Sequence, residues 1–192
     1  MNAKLSLEDL LQLTRQGGEG WAVTHALRLL ALICEIGAGL PYDPVAMTAA
    51  TYLHDWGAFP CYAQRGVEHA LRSRQVAETE ILPRMDLSAA AQEVVLEAIE
   101  LHDYRDLRPT RSVEALLLRE ADMLEFLGMI GMARDFARGP RDVAACHRRI
   151  LGRRTGIEGR FTLPRAREIA QVRLDRMGQC LAWLEEEGFG HL

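Results

Sequence analysis

The chain has 192 residues, 48% apolar and 26% charged, the balance of an ordinary globular protein that buries roughly 70% of its unfolded surface. A formal net charge of -4 gives no reason to expect nucleic acid as a partner, and there is no run of about 18 apolar residues to cross a membrane. The opening stretch, Met-Asn-Ala-Lys-Leu-Ser-Leu-Glu-Asp, has no apolar signal-like core, so the chain is read as cytoplasmic.

Lys4 is the only lysine among 23 basic residues, which leaves 22 arginines. Arginine grips phosphate bidentately, so this bias is compatible with a phosphorylated substrate without requiring one. Cys34, Cys61, Cys146 and Cys180 lack metal-type spacing, and are expected to be reduced and mostly buried.

The pattern is helical nearly throughout. Ser6-Leu-Glu-Asp9 resembles a capping box opening a short first helix, which the glycines at 17, 18 and 20 end. These glycines follow no strand and are not a phosphate cradle. A second helix is expected from about Trp21 to Ile36, with His25 on its apolar stripe of Ala22, Leu29, Leu32 and Ile36. The third has Asp43 as N-cap and Pro44 at its first position, and runs to His54-Asp55, with Gly57 and Pro60 marking the ending. Neighbouring side chains on a regular helix point about 100° apart. His54 and Asp55 can therefore share a target only where that helix stops.

A fourth helix carries His69, Arg72, Val76 and Glu80 and stops near Pro83. The fifth, from about Ser88, sets Val95, Ala98, Ile99 and His102 on one face. After the Asp103 to Arg111 loop comes the longest expected helix, Ser112 to about Ala137, with Ala115, Leu118, Phe126 and Met129 on its apolar face and Asp122 among them. Gly128 and Gly131 inside it suggest close packing against a neighbour. A shorter helix follows Gly139-Pro140, and a last one spans Pro164 to Glu187 with Ile169, Val172, Met177, Leu181 and Leu184 on one side. The expectation is one all-α domain of seven or eight helices over residues 1–192: a core at about 21–137, with helices at 140–188 packed on it. The final helix either covers that core or forms the face of a homodimer.

Four of the six histidines, His25, His54, His69 and His102, fall on apolar faces or ends of four successive helices. His147 and His191 are expected to be solvated. A carboxylate at Asp122 among leucines and methionines needs a cation, a hydrogen-bond network or a shifted pKa. Imidazole and carboxylate together suit a divalent ion of the first transition row or zinc.

The ordered set His25, His54-Asp55, His69, His102 and Asp122 resembles the HD-domain superfamily of metal-dependent phosphohydrolases. The matching segments are Trp-Ala-Val-Thr-His25-Ala-Leu-Arg, Tyr-Leu-His54-Asp55-Trp-Gly and Leu-Arg-Glu-Ala-Asp122-Met-Leu-Glu. Ser112-Val-Glu-Ala and Leu127-Gly-Met-Ile-Gly-Met-Ala-Arg134 are similar to segments of small stand-alone bacterial members. The resemblance implies one ion (manganese, iron, cobalt, nickel or zinc) held by His25, His54, Asp55 and Asp122. Where a second ion is present, Asp55 bridges to it and His69 and His102 hold it. It further implies hydrolysis of a phosphate ester or anhydride, in a nucleotide or small phosphorylated metabolite, by attack of metal-bound water. Asp55, His69 and His102 would take part in catalysis, with Arg65 and Arg105 as candidate phosphate clamps. The chain has Trp56-Gly57-Ala58 where many members have Ile/Leu-Gly-Lys, lacks the glutamate of some 5′-nucleotidase members and lacks the Gly-Tyr-Pro segment of cyclic-dinucleotide phosphodiesterases. Two alternatives share the ligand set: a diiron HD-type oxygenase, and a non-catalytic HD ligand-binding module.

Overall fold

The computed structural model describes residues 4–139 and 142–192. Those residues form two compact units, the first up to Arg119 and the second Glu120–Leu192. Among the described residues the architecture is all-α, with nine α-helices and, in place of strands, only an isolated bridge between Leu5 and Met85. No helix among them is long and apolar enough to cross a membrane.

The first unit contains α1 (Leu7–Gly17), α2 (Trp21–Ile36), α3 (Pro44–Leu53), α4 (His69–Val76), α5 (Ala89–Leu101) and the first half of α6 (Val113–Glu125). Local chemistry sets most of these boundaries. The Ser6 hydroxyl and the Asp9 carboxylate cap one another's backbone N–H groups at the start of α1. Asp43 accepts from the N–H groups of Val45 and Ala46, and Pro44 takes the first position of α3. Ser88 caps α5 through the Ala91 N–H. Helix α4 continues through a π turn, Ala77–Ile81, and a 3-10 turn, Leu82–Arg84, where Pro83 ends it.

Just beyond α3 the chain is pinned hard. Trp56 and Phe59 are each 1% exposed, and the Trp56 indole N–H donates to the Thr14 hydroxyl at 3.0 Å. That hydroxyl in turn donates to the Leu10 carbonyl at 2.8 Å. Burial of an indole on this scale contributes about 3–5 kcal/mol, judged by what its removal costs in other cores. A 3-10 turn, Trp56–Ala58, then presents Gly57 to α4. The Gly57 N–H donates to the Ser73 hydroxyl at 2.7 Å, and a Cβ at Gly57 would lie 2.2 Å from the His69 carbonyl oxygen. Only glycine permits α4 to approach this closely.

The second unit holds the end of α6, α7 (Gly128–Arg138), α8 (Val143–Ile157) and α9 (Pro164–Glu187). The helix expected from Ser112 to Ala137 is two helices. The chain tightens into 3-10-type bonds at Phe126 and Leu127, and Gly128 takes φ +72°, a value incompatible with continuing a right-handed helix. Gly128 therefore opens α7, and it also packs closely as expected, since a Cβ there would lie 3.2 Å from the Arg173 side chain of α9; the break raises the helix count above the expected seven or eight. It also leaves Met129 54% exposed. Along α9 the buried line is Ala166, Ala170, Leu174, Met177 and Leu181, while Val172 turns outward. Pro140, expected to precede α8, lies outside the described residues.

Two further expectations are corrected. Cys34 and Cys61 are exposed, Cys180 is half-buried and only Cys146 is buried; all four thiols are free. Cys34 sits on the outward side of α2 beside Glu35, so its apolar neighbours in sequence are not its neighbours in space. His147 is buried on α8, its Nε2 3.0 Å from a Glu185 carboxylate oxygen on α9, a partner that satisfies an imidazole without solvent.

Two predictions follow from this packing. Glu97 on α5 accepts from the backbone N–H groups of Arg111 (2.6 Å) and Ser112 (3.2 Å). Burial pushes its carboxyl up, but these bonds and the Arg111 guanidinium more than offset that and hold it below its ordinary value. Glu97→Gln should cost about 1–3 kcal/mol in denaturant unfolding at neutral pH. A folded-state pKa depressed in this way gives stability that is present above the unfolded pKa of about 4.3 and lost as pH falls through the lower folded value, so the gap to Glu97→Gln should close in acid. Gly57→Ala must shift the backbone of α4 and should cost about 1–3 kcal/mol, or roughly 2–4 °C in Tm per kcal/mol for a chain of this size.

Candidate metal centre

Helix α3 ends at Leu53, and His54 is its C-cap, with φ -58° and ψ -33°. Asp55 then leaves the helical region, at φ -103° and ψ 6°. That departure brings two adjacent side chains onto one target: His54 Nε2 stands 3.4 Å from Asp55 Oδ2. The His54 Nδ1 lies 2.7 Å from the Thr51 carbonyl oxygen in the last turn. A carbonyl only accepts, so Nδ1 carries the proton and Nε2 turns its lone pair inward.

The end of α5 repeats this arrangement. His102 is the C-cap of α5, and its Nδ1 donates to the Ile99 carbonyl at 2.6 Å. Its Nε2 lies 3.8 Å from Asp55 Oδ1. The ligating atoms of His54, Asp55 and His102 all fall within 4.8 Å of one another. The remaining two imidazoles come from the middle of α2 and the first residue of α4. His25 Nε2 is 3.8 Å from Asp55 Oδ2 and 3.3 Å from His54 Nε2. His69 Nε2 is 3.5 Å from Asp55 Oδ1 and 3.1 Å from His102 Nε2.

Asp55 is therefore the hub, with Oδ2 facing His25 and His54 and Oδ1 facing His69 and His102. Burial pushes its carboxyl up, and the His54, His25 and His102 rings overcome that and hold it well below the usual carboxylate range. His25, His54 and His102 are 1–2% exposed, whereas the His69 side chain is 26% exposed.

The donor set fits a cation. Two donors bonded to one ion at about 2.1 Å and 90–120° apart stand about 3.0–3.6 Å from each other, and the separations here run from 3.1 to 3.8 Å. The inward Nε2 atoms of His54 and His102 stand 3.3 and 3.1 Å from those of His25 and His69, and a divalent ion is a common partner for such a set. Asp122 is a buried residue of α6 in the second unit.

Beside His69 lies an open groove of about 530 Å³, lined by Glu68, Leu71, Glu100, Asp103, Arg105 and Arg108 among others. Arg105 is thus placed near the cluster, but not as a free clamp. Its backbone N–H, Nε and Nη2 all donate to Asp103. Arg108 repeats the pattern on Asp106. Arg65 is exposed in the loop before α4. The residue that sequence reasoning passed over is Asp103: its Oδ2 is 3.8 Å from His69 Nε2 and its side chain is 13% exposed. The signal was present, because His102-Asp103 is a second His-Asp pair at a helix end.

Neither a family model nor a curated protein matches the sequence. Solved structures do. A predicted HD-superfamily hydrolase from an uncultured Thermotogales bacterium is 23% identical and superposes with a TM-score of 0.68, covering 94% of this chain and 92% of its own. Bacillus subtilis YpgQ in complex with ADP is 18% identical, with a TM-score of 0.71 and coverage of 95% and 97%. An HD-superfamily hydrolase from Bacillus thuringiensis is 20% identical, with a TM-score of 0.63 and coverage of 94% and 95%. The helices that carry the four histidines and Asp55 are thus arranged in the all-α fold of the HD-superfamily hydrolases.

Proposed function

We propose that this chain is a metal-dependent phosphohydrolase acting on a phosphate ester or anhydride, in a nucleotide or small phosphorylated metabolite. The observation that carries the reading is the convergence of four imidazole Nε2 atoms on the two oxygens of Asp55. The solved HD-superfamily hydrolases of the same fold support it, and the ADP complex of YpgQ makes a nucleotide the first substrate to try.

His25, His54 and Asp55 would hold the ion, with Asp122 as the second acid in a chain taken as a single domain. A divalent cation there supplies Lewis acidity, lowering the pKa of a bound water from 15.7 toward about 7 and polarising the phosphoryl oxygen. The protein's own part is orientation and charge. The Thr51 and Ile99 carbonyls lock the rings of His54 and His102, and Asp55 neutralises positive charge between them. With one ion, His69 is left to donate a hydrogen bond to the phosphate or protonate the leaving oxygen, as is His102 when its Nε2 also carries a proton; with two, they are ligands. Arg105, oriented by Asp103, stands at the rim for phosphate oxygens, and Arg65 is a second clamp if its loop closes on substrate.

A diiron oxygenase is the second reading, favoured by the reach of His69 and His102 to Asp55, which gives the four-histidine set such chemistry uses. Dioxygen consumption with iron, and no phosphate release, would select it.

Elemental analysis together with a phosphatase, pyrophosphatase and phosphodiesterase screen in manganese tests the proposal. Phosphate release from at least one substrate is expected. His54→Ala and Asp55→Ala should each lose metal and lower kcat/KM by more than about 100-fold, beyond the 10–100-fold typical of residues behind the ligands. A variant that keeps both metal and turnover removes the site from this position.

A further inference from the structure

Helix α7 shows solvent the side that a surface helix normally buries. Its exposed positions are Met129, Ile130, Ala133, Phe136, Ala137 and, in its last turn, Arg138, so all but the final one are apolar. Its other charges turn inward. Asp135 is 4% exposed and accepts from Arg149 Nε at 2.9 Å and from Arg153, and the half-buried Arg134 lies over the Phe126 ring. Scattered exposed apolar side chains are ordinary. An outward stripe at i, i+4 and i+7 on a helix that buries its carboxylate is instead the pattern of a face that packs on something.

The patch continues onto α9. Cys180 Sγ stands 3.2 Å from Met129 Sδ, and Trp183, one turn further along, is 55% exposed. Met129, Ile130 and Phe136 are 54%, 45% and 38% exposed. Together with the indole, side chains of this size leave roughly 400 Å² of apolar surface, the scale at which a patch on a monomer is often functional.

The side of α9 that borders the patch selects the occupant. Arg176, Cys180, Trp183 and Glu187 recur at i, i+4, i+7 and i+11 and so share one side of the helix. Arg176 and Glu187 are both exposed, and neither has an ion-pair partner among the described residues. Read backwards, the series is its own complement. Laid antiparallel about a twofold axis between Cys180 and Trp183, two such helices set each Arg176 against Glu187 of the partner subunit and each Cys180 against Trp183 of the partner subunit. A twofold interface demands this reciprocity, in which one residue meets a second and the second meets the first. Two apolar patches supply about 800 Å², and the charged rims raise the pair to the roughly 1,200 Å² at which stable specific interfaces begin.

We infer that the outer face of α7 and α9 pairs with a second copy of this chain, with the two α9 helices antiparallel. Every residue it uses lies in the second unit, so it stands or falls apart from the metal centre.

Sedimentation equilibrium of the full-length chain over about 1–100 μM should find a dimer. Trp183→Glu should weaken it by more than about 30-fold, as loss of a central aromatic anchor does. Leu27→Glu, at an exposed apolar residue of α2, should leave it unchanged. Arg176→Glu and Glu187→Arg should each weaken it by about 10-fold, because each reversal turns two attractions into repulsions, and the double reversal should restore it to within about 3-fold. Should Trp183→Glu not fold, Met129→Glu reads the same face. A chain that stays monomeric to 100 μM assigns the face to a different partner and overturns the inference. So does a dimer that Trp183→Glu or Met129→Glu leaves intact, one that Leu27→Glu weakens equally, or a double reversal whose losses add instead of cancelling.

Discussion

Everything in the first unit that bears on chemistry depends on one carboxylate facing four imidazoles. Asp55 presents Oδ2 to His25 and His54 and Oδ1 to His69 and His102, and no regular element could do this from mid-helix. The side chain reaches the cluster because α3 stops one residue earlier, leaving His54 as the cap and Asp55 outside helical geometry. The packing then fixes that ending: Trp56 is sunk to 1% exposure, and Gly57 admits α4, so that His69 arrives beside the pair. A stacking contact between Trp56 and Tyr62, with ring centroids 5.4 Å apart, holds the turn on its far side.

Helix ends recur as the constructive device. The carbonyls of a last turn lack intrahelical partners, and in α3 and α5 a histidine Nδ1 supplies one. The same bond that completes the helix therefore sets the tautomer and aim of the ring. Helix capping and ring orientation are one interaction here. Farther out, in the loop after α5, two Asp-x-Arg segments in succession bind each guanidinium to the carboxylate two residues before it, which stiffens the rim of the groove.

Much of this was legible in the chain. Asp43 and Ser88 fixed helix starts because each acts through bonds to its own next few residues, and those bonds are present; Pro44 and Pro164 did so through the φ their rings impose at the first position of a helix. The order of the histidines with Asp55 pointed to a shared site, and even His69, on a charge-rich helix, reaches it. What stayed hidden depended on partners distant in sequence or on backbone angle. The close approach of Gly128 to a neighbour was legible, but its φ of +72°, which breaks the helix, was not. The Glu185 partner that allows His147 to be buried lies 38 residues away. Arg105 reads as a free clamp from sequence because only the folded loop shows its guanidinium and backbone N–H bound to Asp103, although an aspartate bonding to the backbone two residues on is a common turn.

The most direct measurement is anomalous diffraction at the manganese edge from crystals soaked in that ion. The account predicts a peak within bonding distance of Asp55 Oδ2 and of the Nε2 atoms of His25 and His54. Soaked crystals with no peak at Asp55, and with those nitrogens hydrogen-bonded to one another instead, would contradict it.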